Sequence, residues 1–162
     1  MFTPRNRSDW TQLAPEPAFQ DGCHSARLSF IGDMRVVIEA VLGVMTTVGY
    51  PAKDIFTVRL ALEESLVNAI KHGHQNDSTK QVKVRYKISQ ECVLIEVEDQ
   101  GDGFDPSQVP DPTAPENLGK PCGRGLFLIH HYMSWVHHNN KGNCITFCKY
   151  PTETPVATAA SS

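Results

Sequence analysis

A glutamate and an asparagine four residues apart are the first side chains of this sequence that could do chemistry. They are Glu64 and Asn68, and helical spacing places them on one face of the segment 64–73. An asparagine carbonyl oxygen suits Mg²⁺, which is usually bound beside waters and phosphates. A glutamate can accept a proton from a hydroxyl group or a water. Taken alone, the pair also fits an ordinary solvated helix face.

A second candidate is the glycine-punctuated segment from Asp99 to Gly103. Asp99 shares the strand parity of the apolar residues before it, so its side chain should face the helix-covered side where the strand ends. A carboxylate at the edge of a core needs a donor, and an adenine amino group is one. Gly101 and Gly103 would let a flat ligand approach the backbone. The alternative is a turn-capping aspartate in a glycine-rich turn.

A third candidate is the run Gly123-Arg124-Gly125 before the apolar residues that begin with Leu126. Free N–H groups and the dipole at a helix N-terminus favour phosphate. Arg124, with Lys71 and Lys120, could add positive charge. A helix start after a flexible linker explains the same residues. The spacing of a P-loop is absent, which argues against that class of enzyme.

Hydrophobic periodicity assigns these candidates to elements in the order β-α-α-β-β-loop-α-β-β. Strands joined by hairpins, with the helices gathered separately, predict an α+β two-layer sandwich with helices on one face of a mixed, mainly antiparallel sheet. A Rossmann fold would need alternating βαβ units. Helices are predicted from Asp33 to Val48, from Pro51 through Ala69 and over 125–135, and strands over 24–31, 82–88, 93–97, 136–140 and 143–149.

The organisation along the chain predicts one domain over residues 24–150. Residues 1–23 are expected to form a loose arm, and the Pro-, Thr-, Ala- and Ser-rich residues 151–162 a disordered tail. The proline-rich stretch 104–122 is too long for an ordinary connection and is expected to be a lid.

The charge and the cysteine content of the sequence indicate which kinds of partner and which cellular compartment to expect. A net charge of -3 and the lack of a Lys or Arg run predict no direct nucleic-acid or membrane partner. Cys92, Cys144 and Cys148 fall in apparent strands and are expected to be buried, reduced thiols, which favours the cytoplasm. The histidine doublets 130–131 and 137–138 could ligate a metal, but polar or partly buried histidines are the favoured interpretation because no partnered ligands stand at metal spacing.

Together these segments resemble the GHKL, or Bergerat-fold, ATP-binding domain of histidine-kinase-like ATPases. Residues 64–73 are similar to its N box, 99–103 to its first glycine box, 123–126 to its second, and 106–122 to the lid between them. Within that superfamily the sequence most resembles the bacterial anti-sigma factor serine/threonine-protein kinases.

The resemblance implies a role for each matched residue. Glu64 would be the general base toward a protein serine, Asn68 would hold Mg²⁺ against the ATP phosphates, and Asp99 would bind adenine. The remaining positions would shape the adenine pocket or approach the phosphates; they are Lys71, Gly101, Gly103, Gly123, Arg124, Gly125 and Leu126.

The resemblance also implies partners. They are a sigma factor of RNA polymerase and a STAS-domain anti-sigma-factor antagonist, whose serine accepts the phosphoryl group, and the kinase would be a homodimer. The alternative function is a nucleotide-sensing switch module that captures a partner without phosphorylating it. A detached histidine-kinase catalytic domain ranks last, because the chain carries no second helical-hairpin domain for a phosphoacceptor histidine. A gyrase-type ATPase would need further domains that 162 residues exclude.

Overall fold

Among the described residues, five strands and three α-helices follow one another in the predicted order. The computed structural model describes residues 23–29, 31–73, 77, 79–109, 111–119 and 124–157. The predicted N-terminal arm lies outside the described residues except for Cys23. The elements are β1 (His24–Leu28), α1 (Met34–Val48), α2 (Ala52–Val67), β2 (Val82–Ile88), β3 (Val93–Glu98), α3 (Arg124–Tyr132), β4 (Trp135–His138) and β5 (Cys144–Lys149). None of the helices in this described part of the chain has the length and apolar character needed to cross a bilayer.

The strands form one sheet in the order β1-β2-β3-β5-β4, and every pairing among the described strands is antiparallel. The predicted α+β class is therefore confirmed, and the sheet has no parallel pair within the described residues. Helix α3 ends three residues earlier than its predicted limit of 135, because Trp135 pairs with Cys148 as the first residue of β4.

The helices bury the apolar face of this sheet. On β2, Val82, Val84 and Tyr86 point into the core, while the alternate lysines and arginine lie on the open face. Helix α1 buries a stripe that repeats every three or four residues, as the sequence predicted. Its members are Met34, Val37, Ile38, Val41, Leu42 and Met45.

The three cysteines assigned to strands differ in burial. Cys148 in β5 is buried as expected, whereas Cys144 in β5 and Cys92, which directly precedes β3, are only half-buried. All three are free thiols. Burial raises the pKa of Cys144 to about 12 and also raises the pKa of Cys148. The thiols of Cys144 and Cys148 therefore stay protonated and unreactive at neutral pH.

Residues 151–157 dock onto the start of helix α2, although the sequence predicted disorder from residue 151 onward. Asp54, only 1% exposed, accepts hydrogen bonds from the backbone N–H and the hydroxyl of Thr152, each at 2.9 Å. The Val156 N–H donates to the Gly49 carbonyl at 3.1 Å. A buried carboxylate is costly unless it is hydrogen-bonded, so this segment, named here the C-terminal strap, is part of the folded domain.

Replacing Gly49 with alanine should destabilise the fold by about 1–3 kcal/mol. Gly49 ends α1 with a φ of 97°, and a Cβ there would collide with the Val156 carbonyl of the strap. The matched control is Gly43→Ala, because Gly43 is exposed on the same helix with open space around it. That control should gain about 0.5–1 kcal/mol from helix propensity. Urea unfolding midpoints test both; equal midpoints for the two variants would contradict this account of Gly49.

Candidate functional site

Glu64 and Asn68 lie at the C-terminal end of helix α2, where the helix changes its winding. Glu64 is half-buried in the last turns of α2, and Asn68 is the half-buried residue at which the helix passes into a π-helical turn over Asn68–Gly73. Ile70 anchors this wider turn in the core, while Lys71 points to solvent. Single π turns occur frequently at functional sites, and nothing in the apolar periodicity had indicated this one.

The Glu64 carboxylate packs against Gly125 at the start of helix α3. A Cβ at position 125 would overlap Oε2 of Glu64, so only glycine leaves the carboxylate in its place. This contact unites the first and third sequence candidates, which are about sixty residues apart. The helix N-terminus, a place suited to an anion, therefore lies directly beside the candidate base.

The other residues of the third candidate have distinct surroundings. Arg124 is the first residue of α3 and is exposed. Leu126 is 5% exposed, so only its backbone N–H, and not its side chain, is placed to meet a ligand. Gly123 and Lys120 lie outside the described residues.

The loop that begins at Asp99 is closed by its own hydrogen bond. Oδ1 of Asp99 accepts the Gly101 N–H at 2.7 Å, which is the geometry of the turn-capping alternative. A carboxylate has about four lone-pair positions, so capping the turn is compatible with binding a donor as well. Gly101 is buried, and Gly103 has a φ of 79° and approaches the Lys141 carbonyl so closely that a Cβ there would clash.

Two asparagines of the β4–β5 turn hold this loop in place. Asn143 accepts the Asp99 N–H on its carbonyl at 2.9 Å and returns a side-chain N–H to the Asp99 carbonyl at 2.8 Å. Asn139 Oδ1 accepts three backbone N–H groups, those of Gly142, Asn143 and Cys144, at 2.8, 3.0 and 3.1 Å. Sequence reasoning saw only a hairpin turn here, although the density of Asn and Gly was a signal for side-chain capping.

The structure brings the described site residues into two groups, one around Glu64 and one around Asp99. Residues 74–80 connect the π-helical turn to Gln81, whose N–H donates to Oε1 of Gln100 at 2.7 Å. The chain that leaves the Asn68 turn therefore returns beside the Asp99 loop. The structure joins Glu64 to Gly125 and Asp99 to Asn143.

The predicted lid is described at residues 104–109 and 111–119. It contains short 3₁₀ turns at Pro106–Gln108 and Pro115–Asn117. Asp105 and Asp111 each cap a local turn by accepting a backbone N–H two residues ahead, at 2.9 and 2.8 Å. The hydroxyl and N–H of Ser107 hold the pKa of Asp105 below its usual value. These hydrogen bonds join residues of the predicted lid to one another and so fix its local turns.

Replacing Asn139 with alanine should destabilise the fold by about 1–3 kcal/mol, because the N–H groups of Asn143 and Cys144 lose this acceptor and that of Gly142 keeps only the Asn139 backbone carbonyl. The neighbouring Asn140 is exposed, so Asn140→Ala should change the free energy of unfolding by less than about 0.5 kcal/mol. Urea denaturation of both variants measures the difference. An Asn139→Ala variant as stable as Asn140→Ala would show that the turn holds its shape without this side chain.

Comparison with known proteins agrees with the motifs and the geometry. The histidine kinase-like ATPase domain family matches residues 25–149. The chain is 27% identical over 138 residues to the serine-protein kinase RsbW of Oceanobacillus iheyensis, covering 81% of this chain and 85% of the relative. It is 30% identical over 117 residues to RsbW of Bacillus licheniformis (68% and 71%). It is 26% identical over 132 residues to RsbW of Bacillus subtilis (77% and 81%).

These matches span the sheet, all three helices and both glycine-containing loops. They confirm the family expected from the residues 64–73, 99–103 and 123–126. The chain therefore belongs to the histidine kinase-like ATPase domain family, in the branch that contains the RsbW serine-protein kinases.

Proposed function

We propose that this protein is an anti-sigma factor and an ATP-dependent protein serine kinase that phosphorylates a STAS-domain anti-sigma-factor antagonist. The observation that carries the proposal is the packing of the Glu64 carboxylate against Gly125. It sets a proton acceptor beside a helix N-terminus suited to phosphate. In such a site the protein contributes mainly positioning and charge stabilisation.

The residues present fit ATP with Mg²⁺. Asp99 and the buried Gly101 would receive the adenine at the end of β3, where the loop is already held by Asn143. The half-buried Asn68 would hold Mg²⁺ through its carbonyl oxygen, and the ion would offset the negative charge of the phosphates. Gly103 belongs to the same pocket wall.

The phosphates would lie at the start of helix α3. The N–H groups of its first turn have no partner within the helix, and those at Gly125 and Leu126 would donate to phosphate oxygens, with Gly123 leading into the turn. The exposed side chains of Arg124 and Lys71 supply positive charge that can swing toward the ligand. The proposed lid, 104–122, would cover this region and exclude water.

The transfer itself would use Glu64. As the serine oxygen forms a bond to the γ-phosphorus, the bond from that phosphorus to the bridging oxygen of ADP breaks, and Glu64 takes the hydroxyl proton. ADP leaves with the electron pair of the broken bond. Glu64 is half-buried and not enclosed, so a substrate hydroxyl would be able to reach its side chain.

The sigma factor and the STAS-domain antagonist would compete for this domain, which is the partner-switching mode of regulation. Binding of the sigma factor would withhold it from RNA polymerase, and phosphorylation would remove the antagonist from competition. We place this exchange in the cytoplasm and expect a homodimer. The mostly exposed edge strand β1 is a surface on which a second copy could pair.

Replacing Glu64 with glutamine should lower the turnover number for serine phosphorylation by about a hundredfold or more, the usual contribution of a general base. ATP affinity should stay within about twofold, since glutamine keeps the shape and loses only the proton acceptor. The control is Glu63→Gln, because Glu63 is the adjacent residue and lies 3.9 Å from Arg59 in a surface ion pair. Radiolabelled transfer to the STAS-domain antagonist of the same bacterium measures both.

Undiminished transfer by Glu64→Gln would remove Glu64 from the base role. A wild-type protein that binds ATP and the antagonist but transfers no phosphoryl group would favour the alternative, a nucleotide-sensing switch module.

Replacing Asp99 with asparagine should weaken ATP binding by about tenfold or more, the equivalent of roughly 1–3 kcal/mol for a mispaired buried partner. Asparagine can still accept the Gly101 N–H, so the turn survives and only the recognition of a donor is lost. Asp102→Asn is the control, because Asp102 is exposed in the same loop. Calorimetric titration with Mg²⁺-ATP measures both affinities; equal affinities would reduce Asp99 to a turn residue.

A further inference from the structure

A cleft on the open face of the sheet carries more positive than negative charge. It has a volume of about 220 Å³, and five polar side chains line it: Arg27, Gln81, Lys83, Glu98 and Gln100. Three of them form one row across β1, β2 and β3, because Arg27 pairs with Lys83 and Lys83 pairs with Glu98. Gln81 and Gln100 continue the same parity just beyond β2 and β3, so the five residues share the face opposite the helices. This surface is named here the polar cleft.

Arg27 and Lys83 are directly opposite each other in the sheet and have no counter-charge of their own. Like charges at directly opposed positions of an antiparallel pair are destabilising. In the part of the chain that the structure describes, neither side chain takes part in an ion pair. Local arrangements that cost stability are expected mainly where they serve a function. Here the two cations would be neutralised by a negatively charged ligand.

Glu98 does not neutralise these cations, although it is the register partner of Lys83. One of its carboxylate oxygens lies within 4.8 Å of the Sγ atom of Cys144 and of a carboxylate oxygen of Glu96. The Glu98 carboxylate is therefore close to β5, on the side where Arg85 already pairs with Glu96. The polar cleft thus has two cations on β1 and β2 and a hydrogen-bond acceptor on β3.

The two glutamines add neutral hydrogen-bonding groups to the polar cleft. Oε1 of Gln100 accepts the backbone N–H of Gln81 at 2.7 Å, which holds the Gln100 side chain beside the start of β2. The NH₂ group of Gln100 takes no part in this bond and can donate to a ligand. Together with a guanidinium and an ammonium group, these amides supply several donors to one small space. Such a set of donors suits the oxygens of a phosphate group.

We propose that the polar cleft binds a small phosphate-bearing molecule, with phosphate oxygens between Arg27 and Lys83 and a hydroxyl group of the ligand donating to Glu98. That hydroxyl is the P–OH of inorganic phosphate or an alcohol of a phosphate ester. Sulfate has no such donor and would meet an unpaired carboxylate, which disfavours it. Asp99 lies between Glu98 and Gln100 in the chain and has the opposite strand parity. The cleft is therefore on the other side of the sheet from the proposed adenine position and does not depend on it.

NMR titrations of the full-length protein with inorganic phosphate and with glycerol 3-phosphate test the proposal. The side-chain amide resonances of Gln81 and Gln100 should shift to saturation, and the tighter ligand shows whether free phosphate or an ester is preferred. The dissociation constant should rise about tenfold or more in Lys83→Gln, because a charge-assisted hydrogen bond is lost. Lys87→Gln is the matched control, since Lys87 has the same strand and face but pairs with Leu94 and is not among the lining residues. At constant ionic strength it should bind within about twofold of the wild type. Equal dissociation constants in the two variants, or no saturable shift in the wild type, would overturn the proposal.

Titration with sulfate under the same conditions tests the part assigned to Glu98. The wild type should bind sulfate about tenfold more weakly than inorganic phosphate, because sulfate cannot donate to the carboxylate. Glu98→Gln removes the repelling charge and offers an NH₂ group, so its dissociation constants for the two anions should agree within about twofold. Equal affinities of the wild type for phosphate and sulfate would show that Glu98 does not select the ligand, and would overturn the proposal.

Discussion

The candidate site depends on how closely helix α3 approaches helix α2. At Gly125 the Glu64 carboxylate of α2 lies so close to the backbone of α3 that a Cβ there would overlap Oε2. That contact places a carboxylate of one helix beside the first turn of the other. If a larger side chain separated the helices, the carboxylate would have to move away from the helix N-terminus. In the proposed phosphoryl transfer, this contact would do the positioning that the reaction requires.

The second half of the site rests on hydrogen bonds that cross the sheet. The Asp99 loop has no regular secondary structure, so its backbone groups need partners from elsewhere. Asn143 supplies two of them and Asn139 shapes the turn that presents Asn143. The protein's own hydrogen bonds therefore hold the loop in shape, which would lower the ordering cost of binding. A flat ligand would meet a preformed edge at the end of β3.

Local patterns predicted the elements, whereas contacts between distant residues escaped prediction. The alternation in 82–88 and the stripe of α1 are repeats that one segment carries by itself, so the sequence shows them directly. Other features depend on residues that are distant in the sequence. The strap on Asp54 and the pairing of His130 with His138 join residues from eight to nearly a hundred positions apart. The π-helical turn at Asn68 is a change in helical winding that the apolar pattern does not show. Asp54 is an example. In the sequence it is an acidic residue in the first turn of α2, and only its hydrogen bonds with Thr152 explain why it is buried. The site residues were named through a family resemblance, but their mutual placement required the fold.

Helix α2 is held at both ends, and this limits where motion can occur. Its first turn is fastened by the strap through Asp54 and Thr152, and its last turn passes into a π-helical turn whose Ile70 is buried. Between them, Val58, Leu62 and Leu66 are fully buried. The predicted lid is built differently: its aspartate caps bind residues two positions away, within the lid itself. Such a segment can move as a unit without breaking those bonds, so opening and closing over a nucleotide would leave Glu64 and Asn68 where they are.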